Sequence, residues 1–161
     1  MAQITLGGNP TYTTGQLPAK GNKAPDFYAY NTKNEKINLN SFKGKFVLID
    51  VWASWCGPCK RETPFFEKYA IKYQDQNISF ISLNVDKEEI KWRSMIQNKK
   101  SESIQLRVKE IDQFASQYSI KTIPRFIFID TLGNIINKEM PLPSSSSFEI
   151  LLKNEIKEIK I

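Results

Sequence analysis

Beyond residue 22, apolar and polar positions alternate in a way that predicts strands and helices in turn. Phe27 to Tyr30 and Lys36 to Leu39 read as a short hairpin around Asn31-Thr32-Lys33-Asn34. Lys45 to Trp52 (KFVLIDVW) is a near-continuous apolar run, the pattern of a strand covered on both faces. A helix follows, with Phe65, Phe66, Tyr69, Ala70 and Tyr73 assigned to one buried face. Ile78 to Val85 is the next strand. Glu88 to Gln97 is helical with Ile90, Met95 and Ile96 turned inward, and Ile111 to Tyr118 is a further short helix. Arg125 to Asp130 is a strand that turns through Gly133-Asn134 into Ile135-Ile136. Phe148 to Lys160 closes the chain as an amphipathic helix through Phe148, Leu151, Leu152, Ile156 and Ile159, and the last serines of Ser144 to Ser147 cap it. Strands alternating with helices, then a hairpin and a helix, predict an α/β domain with a mixed central sheet. Residues 1–21 are punctuated by Gly7, Gly8, Pro10, Gly15, Pro18 and Gly21 and read as a flexible lead-in to a domain over 22–161.

A chain of 161 residues suits one domain and can bury a core without disulfide staples. The formal charge of +6 comes from 19 Lys and 4 Arg spread along the chain. Only Lys99-Lys100 is an adjacent lysine pair, so the surplus reads as a solvated face and not a nucleic-acid footprint. No apolar run reaches the length of a membrane span, and Met1 to Thr5 lacks the basic start and apolar core of a signal peptide. The chain has no histidine, which excludes a Ser-His-Asp triad, a Cys-His dyad and His-ligated zinc. Its two cysteines cannot supply a four-thiolate metal site.

Both cysteines lie in Trp55-Cys56-Gly57-Pro58-Cys59-Lys60, where the buried strand ends and a helix begins. Unpaired N–H groups and the helix dipole stabilise a thiolate at such a position. In C-x-x-C motifs the first thiol titrates at roughly 3.5–7.5 and not near 8.5. Cys56 is expected to be the exposed, attacking thiolate, and Cys59, one turn along, the thiol that resolves a mixed disulfide. Pro58 sits early in the helix, where its missing N–H costs little. Gly57 leaves the approach to Cys56 open, and Lys60 adds positive charge. Half a zinc site, a purely structural disulfide and two inert thiols are the competing readings. The strand–CxxC–helix context favours redox chemistry over all three.

Asp50 interrupts the apolar strand six residues before Cys56. It reads either as a proton acceptor for Cys59 or as an edge carboxylate, and flanking Ile49 and Val51 favour the first. Pro124 precedes a strand, where a cis bond or an ordinary trans turn both fit; local sequence alone favours trans. Glu62, three residues past Cys59, reads by itself as a solvated helix glutamate. Pro64 predicts a kink, and Trp92 reads as a packing residue.

The segment Asp50 to Pro64 (DVWASWCGPCKRETP) resembles the active-site signature of the thioredoxin superfamily. The wider frame is similar to its TlpA/ResA-like thiol–disulfide oxidoreductase branch: Gly21 to Phe27, Leu39 to Lys45, Thr122-Ile123-Pro124, and Phe128 to Asp130 with Gly133. The resemblance spans about residues 21–161. It implies a thioredoxin-like fold with an N-terminal hairpin and an inserted element near residues 87–110. It implies that Cys56 is the nucleophile, Cys59 the resolving thiol, Asp50 the buried aspartate and Glu62 the branch's glutamate. Trp55, Gly57 and Pro58 then flank the substrate, Pro124 is the cis-proline facing the disulfide, and Ile123 offers its backbone to an extended substrate chain.

The chain departs from many relatives at Thr122 and Arg125, beside the substrate groove. Arg125 either favours acidic partners or reaches to solvent. The expected activity is reduction of disulfide-bonded proteins, fed by an upstream thiol donor, by a monomer without metal, cofactor or nucleic acid. A peroxiredoxin-type thiol peroxidase is the alternative enzyme, but its Thr and Pro positions before the cysteine hold Ala53 and Ile49, or Cys56 and Trp52. A non-catalytic peptide clamp is the third reading. Disulfide substrates and the branch resemblance point to a bacterial periplasm or envelope, with the usual leader or anchor absent from this chain; a cytoplasmic role is the alternative.

Overall fold

The apolar run becomes β4 (Phe46–Trp52), and all seven of its residues are buried. The computed structural model describes residues 2–3 and 19–157. β4 pairs in parallel with β5 (Ile78–Asn84), also buried throughout, and antiparallel with β8 (Arg125–Ile129). Such strands lack alternation because helices cover both of their faces.

The predicted hairpin forms β2 (Tyr28–Tyr30) and β3 (Lys36–Asn38). Its turn is fixed by the Asn31 side chain, which accepts from Lys33 N–H and Glu35 N–H. β9 (Ile135–Asn137) follows β8 through a turn at Gly133, whose φ of 87° favours glycine. A strand absent from the sequence reading, β6 (Ile104–Arg107), joins β5 in parallel and touches β2 at Tyr30–Arg107. With the implied inserted element thus containing α2 (Glu89–Ile96) and β6, the mixed sheet runs β3-β2-β6-β5-β4-β8-β9.

One face of the sheet carries Val47, Ile49, Val51, Ile81, Leu83, Leu106 and Ile127. It is covered by Trp92 of α2 and by Ile111, Phe114 and Ala115 of α3 (Ile111–Gln117). The other carries Phe46, Leu48, Phe80, Phe126 and Phe128. It is covered by α1 (Gly57–Lys72) and α4 (Ser146–Lys157). Burial of each large side chain here is worth about 1.5–3 kcal/mol, so the two apolar layers fix α1 against β4.

Three residues assigned inward by pattern face outward. Phe65 is exposed because Phe66, Tyr69, Ala70 and Tyr73 already complete the inner stripe of α1 at i, i+3, i+4 and i+7. Ile90 is 66% exposed because Trp92, with Met95 and Ile96, sets the inner face of α2. Leu151 lies beside the α4 stripe of Phe148, Leu152 and Ile156. Ile159 lies outside the described residues. Ser145 caps α4, its Oγ accepting from Ser147 N–H. Most of the lead-in expected over residues 1–21 lies outside the described residues. Of the rest, β1 (Ala2–Gln3) pairs with β7 (Thr122–Ile123), and Gly21 N–H donates to Ile135 O.

Candidate active site

β4 delivers the chain to the sheet's end, and α1 starts at once with Cys56 as its N-cap. Cys56 and Cys59 form a disulfide, with their Cα atoms 5.3 Å apart. Cys59 N–H donates to Cys56 Sγ at 3.2 Å. An N-terminal N–H aimed at the first sulfur is the arrangement that stabilises a thiolate there once the disulfide opens. Pro58 occupies the first turn without loss of a helical hydrogen bond. A Cβ at Gly57 would meet only the Arg61 guanidinium at 3.7 Å, so the turn itself does not require glycine.

The expectation of an exposed Cys56 is corrected. Cys56 has no exposed surface in this disulfide state, because its Sγ packs 3.8 Å from Ile123 O and inside the apolar cluster below. Trp55 is instead the exposed member of the motif, at 52%. It borders a cleft of about 540 Å³ that also touches Val85, Lys87, Lys91 and Ile111. The Ile123–Pro124 bond is cis, against the reading from local sequence and in line with the resemblance. Pro124 therefore lies next to the carbonyl that touches Cys56, and the β7 edge at Ile123 is paired with Ala2.

Asp50 is buried within β4, 1% exposed, with Oδ1 lacking a protein partner. Burial, and then the charges of Glu67 and Glu62, hold its carboxyl well above the usual carboxylate range. Glu62 is also buried, not solvated. Its two carboxylate oxygens accept from Ser144 N–H at 2.9 Å and Ser144 Oγ–H at 2.8 Å. Arg125 is half-buried and donates to the carbonyls of Tyr118 and Lys138 at 3.4 Å each. Pro64 lies inside α1, which runs through it.

Sequence reasoning missed Asp86. Its carboxylate accepts from Ser54 N–H and Ser54 Oγ–H, both at 2.8 Å, and from Asn84 Nδ2–H at 2.7 Å. It thereby ties the loop before Trp55 to the end of β5. The only hint was an acidic residue just past an apolar strand.

The redoxin family profile matches residues 19–150. The chain belongs to the redoxin family. Among its relatives, the thiol–disulfide oxidoreductase ResA of Bacillus cereus is 27% identical over 118 residues, 73% of this chain and 68% of that protein. A Bacteroides vulgatus structure proposed to be a thiol–disulfide oxidoreductase superposes with a TM-score of 0.81. It is 34% identical, over 85% of this chain and 96% of that one. The thioredoxin domain of another B. vulgatus thiol–disulfide oxidoreductase gives 0.77 at 28% identity, over 86% and 98%. This redoxin is a TlpA/ResA-like member of the thioredoxin superfamily and an oxidoreductase, with Cys56–Cys59 as its thiol–disulfide centre. Among the described residues, no cluster of Cys, Asp and Glu is arranged to hold a metal ion, and no helix is long and apolar enough to cross a membrane.

Proposed function

We propose that this redoxin works as a reductant of protein disulfides. The observation that carries the reading is the Cys59 N–H donated to Cys56 Sγ at the N-cap of α1. It favours Cys56 over Cys59 as the thiolate of the reduced pair. Cys56 S⁻ attacks one sulfur of the substrate disulfide, and the other sulfur leaves with the electron pair. Cys59 then gives its proton to the Asp50 carboxylate and attacks Cys56 Sγ. The substrate's second sulfur departs as a thiolate, and Cys56–Cys59 is left oxidised until a donor dithiol returns two electrons.

Asp50 is the proton acceptor in this scheme, and its raised pKa makes its carboxylate a stronger base toward a thiol than an ordinary aspartate. Glu62 acts through Asp50, as a buried negative charge that keeps the carboxyl protonated more readily. Ile123, beside cis-Pro124, offers backbone groups to an extended substrate segment, and Trp55 with Gly57-Pro58 forms the surface such a segment crosses. The working form is a monomer, with residues 22–161 as its domain and the preceding residues as a lead-in. The compartment is a bacterial envelope or periplasm, where disulfide substrates exist.

The test uses insulin disulfide reduction with dithiothreitol as electron source. Cys56→Ser should abolish turnover, and Cys59→Ser should accumulate a mixed disulfide. Full activity in Cys56→Ser would overturn the reading. The direction of electron flow is read from the reduction potential. A value near the thioredoxin end, about −270 mV, supports a reductant; one near −120 mV makes the pair a disulfide donor.

A further inference from the structure

The sheet face beneath α1 changes character along β4. Side chains two apart on a strand share a face, so Phe46, Leu48, Asp50 and Trp52 point together. Leu48 is flanked by Phe80 and Phe128, whereas Asp50 is flanked by Ser82 and Phe126. Ser82 in turn pairs with Gln105 of β6. An apolar face thus gives way to a polar row, Asp50–Ser82–Gln105, that runs from the sheet's centre toward α2 and the segment entering β6.

A cavity of about 170 Å³ lies over the outer part of this row. Trp52, Ser82 and Gln105 line it from the sheet, Thr63 and Glu67 from α1, and exposed Lys99 from the segment after α2. Three buried side-chain atoms on this one face lack a protein partner: Asp50 Oδ1, Trp52 Nε1 and Gln105 Oε1. Leaving such an atom without any partner is unfavourable, because it loses its hydrogen bonds to water and gains none in return. A cavity of this size admits several waters at about 30 Å³ each, and each can bond two to four polar groups. Glu67 is held at the outer wall, accepting from Glu102 N–H at 3.0 Å and from Ser103 N–H at 3.3 Å.

We propose that Ser82, Gln105 and water in this cavity form the path by which Asp50 exchanges its proton with solvent. The path rests on the reading that Asp50 takes the Cys59 proton. After Cys59 S⁻ has closed the disulfide, that proton stays on a carboxyl 1% exposed. Phe126 blocks one flank. Ser82 is the polar flank, and it opens on the cavity. The proton passes from Asp50 along hydrogen-bonded water anchored by Ser82 and Gln105, and leaves past Glu67 and Lys99. Asp50 returns to the carboxylate, with no other bond made or broken. Ser82 and Gln105 are positioning residues in this scheme, since neither touches substrate.

The test follows the carbonyl stretch of protonated Asp50 in the oxidised 161-residue chain, assigned by its loss in Asp50→Asn. On dilution into D₂O the wild-type band should shift within the mixing time. Ser82→Val and Gln105→Leu, which replace the row's polar groups by apolar ones, should each slow that shift tenfold or more and slow insulin turnover in parallel. Exchange as fast as wild type in the folded variants would overturn the path. Gln105 is only half-buried, so Gln105→Leu decides the matter if Ser82→Val does not fold. The exchange is read without substrate, so failure of wild type to reduce insulin would count against the proposed function alone.

Discussion

Asp86 holds Ser54 by two hydrogen bonds, one to the backbone N–H and one to the hydroxyl, across a sequence separation of 32 residues. Asp86 is 2% exposed, and three donors surround its carboxylate. The loop that presents Trp55 and Cys56 therefore has its position set from β5 as well as from β4.

Asp86→Ala should leave Ser54 N–H and Asn84 without their acceptor, at about 1–3 kcal/mol of stability. Insulin turnover should fall further than stability predicts, up to about 100-fold, because a shift of about 1 Å in a reacting group costs that much. Urea unfolding and initial rates on the same samples separate the two effects. Unchanged turnover in a destabilised variant would remove the positioning role.

The site was legible in the sequence where it is local, and illegible where it depends on distant pairs. Cys56, Cys59 and Pro58 announce a helix N-terminus within four residues, and Asp50 stands out against Ile49 and Val51. Ser54–Asp86 and Glu62–Ser144 join residues 32 and 82 positions apart, and no spacing rule reaches across such gaps. The same physics hid β6. Gln105 and Arg107 face the polar row under α1 and its continuation, so the strand lacks the apolar signature of its neighbours. Burial of Cys56 was hidden too, since the carbonyl against it comes from Ile123, 67 residues away.

Glu62 has two separable jobs, a clasp on Ser144 and a charge near Asp50. Glu62→Gln keeps a carbonyl oxygen for Ser144 N–H and removes the charge. It should lower the Asp50 pKa with little loss of stability. Glu62→Ala should also break the clasp and cost about 1–3 kcal/mol. Carboxyl ¹³C titration and urea unfolding read the two effects. An Asp50 titration identical in wild type and Glu62→Gln would exclude the charge coupling.

Asp50 makes stability depend on pH in a defined direction. Its folded pKa is raised by burial and by Glu67 and Glu62, so the folded state binds the proton more tightly than the unfolded chain. The stabilisation is full below the unfolded value of about 3.9 and is lost as pH rises through the folded pKa. Relative to wild type, Asp50→Asn should show no pH-dependent gain near pH 3. The gain should then grow by about 1.4 kcal/mol per pH unit until the folded pKa is passed, and stay level above it. Urea unfolding of both oxidised proteins from pH 3 to 9 measures the difference. A difference independent of pH would show that Asp50 has the same pKa in the folded protein as in the unfolded chain.

Ala2 pairs with Ile123 on the strand that touches Cys56, and Gln3 pairs with Thr122. An extended substrate that pairs with the same edge of Ile123 must displace this two-residue strand, because one edge offers its N–H and C=O groups to one neighbour at a time. Removal of residues 1–18 should therefore lower KM for a disulfide-bonded peptide. A tenfold fall would correspond to about 1.4 kcal/mol for displacing the strand. The rate of the chemical step should stay the same, since Cys56, Cys59 and Asp50 are untouched. In the reduced protein, Cys56 should also react faster with iodoacetamide. Steady-state kinetics of the two forms side by side check this, and equal KM values would mean that β1 does not compete with substrate for the β7 edge.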